Sequence, residues 1–217
     1  MNSIRSIIQS LPDHVTLVAA AKSRSVEEVI RAIEDGINIL GYNYVQEAQR
    51  IRESITRHVQ WHMIGHLQKN KVNKAVALFD MIQTIDSFEL AEAVDAQCGL
   101  QNKRMPILLE INIAHEVKKS GVVPEKALEL AQQISNLPHL KLHGLMTMGP
   151  QTIEPGELRP YFRDTRILFE KIAAANIPNI DMKFLSMGMS DSYEIAIQEG
   201  ANIVRLGTLL FGPRSKK

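Results

Sequence analysis

The chain has 217 residues, 45% of them apolar, and a formal charge of +1. That length suits one domain, residues 1–217, with a sizeable core, and the balanced charge leaves no overall electrostatic footprint for nucleic acid. Its apolar runs fall far short of a membrane span, its N-terminus lacks a signal-peptide layout, and its one cysteine, Cys98, excludes an internal disulfide and suits a reducing cytoplasm.

Residues 2–10 carry Ile4, Ile7 and Ile8 at helical spacing, and Pro12 ends that helix. An alternation follows. Strand 16–22 precedes helix 26–35, whose apolar stripe Val26, Val29, Ile30 and Ile33 is closed by Gly36. Strand 37–42 leads to helix 45–56, and strand 59–65 to helix 70–79. Strand 81–85 ends at Asp86 before helix 88–97. Strand 106–113 is the strongest strand signal, and a loop from His115 to Val123 separates it from helix 124–136, with Pro124 in the first turn. Strand 140–147, a Pro/Gly-rich loop 149–157 and the long helix 158–175 come next. Strand 183–187, helix 190–199 and strand 202–208 complete the series, with a basic tail, Arg214–Lys217, at the end.

Eight strands separated by helices predict a parallel sheet closed into a single (β/α)8 TIM barrel with a short N-terminal helix. An open doubly wound sheet is the alternative, and no Gly-x-Gly-x-x-Gly follows the first strand to favour its dinucleotide-binding form.

In such barrels reactive groups gather where the strands end. The first strand ends at Lys22, which shares a face with Thr16, Val18 and Ala20. An amine there, partly cut off from water, is a usable nucleophile toward an aldehyde; the same lysine also reads as a mere exit into solvent. Asn43, His66, Asp86, Asn112 and Thr147 fall at the other strand ends. Ser190 reads as an N-cap, Gly188 as a point of close backbone approach, and Gly207-Thr208 as a bare amide beside a hydroxyl. The loops after the last two strands are the usual phosphate site of these barrels. Arg205 lies inside the apolar run Ile203-Val204-Arg205-Leu206, and strand parity lets it face the barrel mouth as Lys22 does. Together these residues suggest an aldehyde that carries phosphate, and pyridoxal 5′-phosphate fits. His62 and His66 lack the spacing and partners of a metal site, so no metal is expected. Asp86, Asp191 and Glu194 make no evident acid/base pair, and Lys69, Lys71 and Lys74 read as a solvated face.

The motifs Ala20-Ala21-Lys22-Ser23, Gly41-Tyr42-Asn43, Trp61-His62-Met63-Ile64-Gly65-His66, Lys119-Ser120-Gly121, Ser186-Met187-Gly188-Met189-Ser190-Asp191 and Arg205-Leu206-Gly207-Thr208 resemble the pyridoxal phosphate homeostasis protein family. That resemblance implies the barrel of the alanine racemase N-terminal domain (fold type III) and pyridoxal 5′-phosphate as cofactor. It implies that Lys22 forms the internal aldimine, that Ser186, Ser190, Gly207 and Thr208 lie along the phosphate, and that Met187 is a further cofactor contact. By the same resemblance Arg205 faces the pyridine nitrogen, Asn43 lies near the ring, and Lys119 is a second, weaker cofactor contact. Tyr42 stands where the family usually has glutamate, so any role of that glutamate is absent.

Two functions compete on this reading. One is a carrier that holds and buffers pyridoxal phosphate in the cytoplasm and hands it to apoenzymes, as a monomer or weak homodimer with no expected turnover and no membrane or nucleic-acid partner. The other is an amino-acid racemase of alanine racemase type. Such racemases use a second, β-rich domain for the opposing base, and the eight-strand series is already complete near residue 210, which favours the carrier.

Overall fold

The computed structural model describes residues 3–150 and 154–213. The basic tail Arg214–Lys217 and residues 151–153 of the Pro/Gly-rich loop lie outside the described residues. Eight parallel strands close into a barrel in sequence order. They are β1 (Thr16–Ala20), β2 (Ile39–Tyr42), β3 (Gln60–Met63), β4 (Met81–Ile85), β5 (Met105–Glu110), β6 (Leu140–Met146), β7 (Ile180–Ser186) and β8 (Ile203–Leu206). The expected closed barrel is therefore the observed one, and the open sheet is excluded. No helix among the described residues is long and apolar enough to cross a membrane.

A short helix α1 (Ile4–Ser10) precedes the barrel. The helices between strands are α2 (Val26–Glu34), α3 (Val45–Arg52), α4 (Val72–Leu78), α5 (Phe88–Leu100), α6 (Pro124–Ile134), α7 (Arg159–Ala174) and α8 (Tyr193–Gln198), and α9 (Thr208–Phe211) follows β8. Local chemistry explains their ends. Ser25 and Glu28 form a reciprocal capping box on α2, and Gly36, at φ 110°, stops it. Ser87 caps α5 by accepting from the Leu90 N–H.

The apolar side chains fall into two sets. One large set joins the outward strand positions, such as Ala19, Leu40, Met63, Ile107, Leu185 and Val204, to the inner faces of the helices. Two small sets contain strand-side residues and none from a helix: Val18, Ile64 and Ile203, and Met81, Leu108 and Met146. Phe184 packs against both. These small sets fill the barrel lumen, and the pleat sends alternate residues to them. Parity then puts His62, Gln83, Glu110, Ser186 and Arg205 in the lumen as well, because each lies two residues from a lumen residue on its own strand or, for His62, from Ile64 just beyond β3.

Several expectations about boundaries need correction; β5 ends at Glu110 and α3 at Arg52, earlier than expected, and four more follow. β1 stops at Ala20, so Lys22 stands in the following turn, not on the strand. β7 begins at Ile180, three residues earlier than expected, because Asp181 and Lys183 alternate outward at the exposed end of the strand. Helix α8 begins at Tyr193 and not at Ser190, whose hydroxyl is engaged elsewhere. β8 ends at Leu206, and Thr208 opens a short helix.

Gly144 sits in β6 at φ 154°, and a Cβ there would collide with the Phe184 carbonyl oxygen of β7. Only glycine lets these strands approach in this register. Gly144→Ala should therefore destabilise the barrel by more than about 3 kcal/mol, read as a fall in the midpoint of thermal or urea unfolding. A variant that melts within a degree or two of wild type would show that the strands can part without cost.

Candidate functional site

The closed barrel makes β1 and β8 neighbours. Thr16, Leu17, Val18 and Ala19 pair with Ile203, Val204, Arg205 and Leu206. The residues just beyond these paired strands share a cleft of about 540 Å3. Its lining includes Lys22, Ser190, Arg205, Gly207 and Thr208 from the sequence expectations, together with Arg24 and Asp191.

Each wall is held by identifiable bonds. The turn that carries Lys22 is fixed by the Ala21 N–H donating to the Gly41 carbonyl at 3.0 Å and the Arg24 N–H to the Ala21 carbonyl at 3.2 Å. Ser23 takes φ 62°, an unusual conformation for a side-chain-bearing residue, and its N–H donates to the Glu47 carboxylate. Opposite, the backbone N–H groups of Gly207 and Leu209 both donate to Ser190 Oγ at 3.1 Å. Ser190 therefore binds the segment after β8, including the first turn of α9, and does not cap α8. The donors that meet its hydroxyl are those an anionic oxygen in this corner would use. Gly188, at φ 91°, faces away from the cleft: a Cβ there would lie 2.6 Å from Ala196 Cβ, so this glycine serves the packing of α8.

Arg205 is the floor of the cleft and is only 4% exposed. Its Nη1 donates to Ser186 Oγ at 2.7 Å and its Nη2 to the Thr147 carbonyl at 2.8 Å. Burial pulls its pKa down to about 10, against the opposing effect of Glu110, so it remains a cation at neutral pH. Glu110 is pushed up to about 7, chiefly by burial and then by the negative charge of Asp86, while Arg205 opposes the rise. His62 is pulled down to about 4 by burial, so its ring is neutral at physiological pH.

Not every expected residue reaches the cleft. Ser186 is fully buried beneath it and holds Arg205; it does not line the cleft. The Met187 side chain is fully buried in the outward set against the helices, and its backbone N–H donates to the Ile203 carbonyl. Asn43 stands at the end of β2, against Gly65 and outside the lining. Lys119 lies in a separate, very small cavity with Glu110 and Thr147, where it pairs with Glu116 and donates to the Gly149 carbonyl at 3.1 Å. Tyr42 turns outward and stacks on Trp61 with ring centroids 5.6 Å apart. Among the described residues no cluster of three or more metal-ligating side chains exists. Gln83, Glu110 and Arg24 were missed, although Gln83 and Glu110 carry the signal that marked Arg205: a polar residue inside an apolar strand.

Glu110 generates a pH prediction. Its carboxyl holds a proton more tightly in the folded chain than in the unfolded one. That stabilisation is complete below the ordinary value near 4.5 and is lost as pH rises through about 7. Glu110→Gln keeps a neutral group of the same shape. The melting temperature of the variant minus that of wild type should rise steadily between pH 5 and pH 8. A difference that stays flat over that range would show that Glu110 is already ionised at the lower end.

Residues 2–215 match the family described as the alanine racemase N-terminal domain. A pyridoxal phosphate homeostasis protein of Pasteurella multocida is 38% identical over 203 residues, covering 92% of this chain and 87% of the relative. A protein of the same name from Schizosaccharomyces pombe is 35% identical over 219 residues, covering 99% and 91%. The structure of PipY from Synechococcus elongatus with PLP bound superposes with a TM-score of 0.89 at 30% identity, covering 97% of this chain and all of that one. An alanine racemase of Clostridium difficile, at 14% identity and a TM-score of 0.79, shares the fold over 59% of its length. The chain belongs to the alanine racemase N-terminal domain family and, within it, to the pyridoxal phosphate homeostasis proteins.

Proposed function

We propose that this protein binds pyridoxal 5′-phosphate and serves its homeostasis in the cytoplasm, holding the cofactor and passing it to apoenzymes without turning over amino acids. The observation that carries this reading is the convergence of Lys22, Ser190, Arg205, Gly207 and Thr208 on one cleft. When bound, the cofactor supplies an aldehyde carbon to which an amine adds with loss of water. Lys22 supplies that amine. The Ser190 hydroxyl and the Gly207 and Leu209 N–H groups form the corner that takes the phosphate, with the Thr208 hydroxyl beside them. Arg205 presents a cation to the ring at the floor. The donor set fits the group: an amine, a guanidinium and clustered N–H donors match an aldehyde, an aromatic nitrogen and a phosphate. The homeostasis proteins that resemble this chain over most of their length, and the PLP-bound PipY structure, support the same reading.

The lining also supports a carrier over a racemase. Racemisation removes a proton from one face of the substrate carbon and returns it on the other, so it needs two positioned carriers. Lys22 offers one. Tyr42 is buried against Trp61, and His66 is exposed beside Asp86 and Ser120, both outside the lining. Asp191, the carboxylate of the lining, accepts from the Ser192 hydroxyl at 3.2 Å and lies beside the phosphate corner.

Borohydride reduction of the loaded protein should leave an adduct on Lys22, located by peptide mass spectrometry. Lys22→Ala should lose it while melting close to wild type. An adduct found mainly on Lys119 would move the binding site to the other loop. Turnover is tested in deuterium oxide with L-alanine and other L-amino acids, following α-proton exchange and the D-enantiomer. Rates should match free cofactor at equal concentration; exchange far above that level, abolished by Lys22→Ala, would make the protein an enzyme.

A further inference from the structure

Beneath the cleft, the lumen changes character. Elsewhere it is filled by Val18, Ile64 and Ile203 and by Met81, Leu108 and Met146. Between these lies a continuous polar chain. Arg205 Nη1 donates to Ser186 Oγ at 2.7 Å, Ser186 Oγ donates to Gln83 Oε1 at 2.7 Å, and Gln83 Nε2 meets His62 Nδ1 at 2.9 Å. All four side chains are at least 96% buried, with exposures of 4%, 0%, 0% and 3% along the chain.

Donor and acceptor counting gives the chain one direction. A guanidinium only donates, so Ser186 Oγ must accept from it and turn its single hydrogen elsewhere. That hydrogen goes to Gln83 Oε1, which leaves the Gln83 amide nitrogen to face His62. His62 Nδ1 must then accept, which requires a neutral ring with its proton on Nε2. Burial of His62 favours that same neutral form. The link between Gln83 on β4 and Ser186 on β7 joins strands that are not neighbours, so it crosses the lumen. Of the four residues, Arg205 alone lines the cleft.

We propose that Gln83 is a positioning residue for ligand binding: acting through Ser186, and braced by His62, it holds the Arg205 guanidinium where the ring of the bound cofactor meets it. A long arginine side chain loses considerable rotamer freedom when fixed, and a fixed donor binds better than one that must be ordered on binding. The chain does that ordering before the ligand arrives. It also fixes which N–H groups of Arg205 are already used, and so which remain for the cleft.

The proposal rests on the reading of the cleft as a pyridoxal phosphate site, and its test separates the two. Gln83→Leu removes both links, and Ser186→Ala removes one hydroxyl with little change in volume. Each should weaken pyridoxal phosphate binding about tenfold and shift the visible absorption of the bound cofactor. In an Arg205→Lys background, Gln83→Leu should change the dissociation constant less than twofold, because the group it positions is gone. In cofactor-free protein, labelling of Arg205 by phenylglyoxal, followed by mass spectrometry, should be about tenfold faster in both variants than in wild type. Variants with lower melting temperatures but unchanged affinity, spectrum and labelling would reduce Gln83 to a structural residue and overturn the proposal. Additive effects of Gln83→Leu and Arg205→Lys would do the same. Wild-type protein that binds no pyridoxal phosphate would overturn the functional reading and the ligand role of Gln83 together, while faster labelling in the variants would still show that Gln83 holds Arg205.

Discussion

A cation buried at the floor of the cleft governs the design of this barrel. Arg205 is 4% exposed in a lumen whose remaining polar side chains, His62, Gln83, Glu110 and Ser186, are surrounded by aliphatic, methionine and phenylalanine ones. An ionised group in such surroundings is unfavourable by several kcal/mol unless acceptors and an opposing charge surround it. Those needs account for the neighbours. The Thr147 carbonyl is available because Thr147 is itself tied down, its hydroxyl donating to the Ile111 carbonyl at 2.9 Å. Ser186 needs somewhere to send its hydrogen, which brings in Gln83 from across the lumen, and Gln83 in turn brings in His62. Glu110 supplies the opposing charge, yet its own burial pushes its carboxyl up to about 7. The cation is therefore held mainly by neutral acceptors, with a carboxyl whose charge follows pH.

This arrangement shows why some residues were legible in the sequence and others were not. The alternation of strands and helices, and hence the barrel, follows from hydrophobic period and turn chemistry, which are local. Lys22, Arg205, Gly207 and Thr208 stood out because each is a polar or bare position at the end of, or inside, an apolar run. The role of Ser186 was not legible: a serine at a strand end reads equally well as a ligand contact or as an internal brace. Only the register of β7 against β8, with Ser186 opposite Ile203, and the 2.7 Å bond to Arg205 distinguish them. Gln83 was hidden for a related reason. Its partner lies 103 residues away in sequence, and nothing in the run Met81-Ile82-Gln83-Thr84-Ile85 indicates which way the amide turns. Ser190 misled because serine, aspartate and serine in succession are ordinary helix-start residues. The hydroxyl was instead taken by the Gly207 and Leu209 N–H groups, a contact that depends on β7 and β8 lying side by side.

Closure also explains how chemical handles from opposite ends of the chain act together. Lys22 follows the first strand and Thr208 the last, but β1 and β8 run in register from Thr16 opposite Ile203 to Ala19 opposite Leu206. Continuing that register puts Ala20 beside Gly207, and a Cβ built on Gly207 would lie 3.4 Å from the Ala20 carbonyl oxygen and 3.5 Å from its Cβ. Lys22 and the corner where Ser190 meets the Gly207 and Leu209 N–H groups thus rise from adjacent points on one seam. Arg24 ties the two rims above it. Its guanidinium donates to the carbonyls of Phe211 and Gly212, stacks 5.4 Å from the Phe211 ring centre and pairs with Glu28 of α2. One buried side chain therefore joins the turn bearing Lys22 to the segment that supplies the N–H donors. A site built this way holds its two ends at a separation set by strand pairing and by the short, hydrogen-bonded turns that follow the strands. A ligand that spans them must match that separation. On the proposed binding mode, a covalent bond to Lys22 and an anion contact at Ser190 would reinforce one another, because binding at either end would place the ligand's other end at its own partner without further ordering.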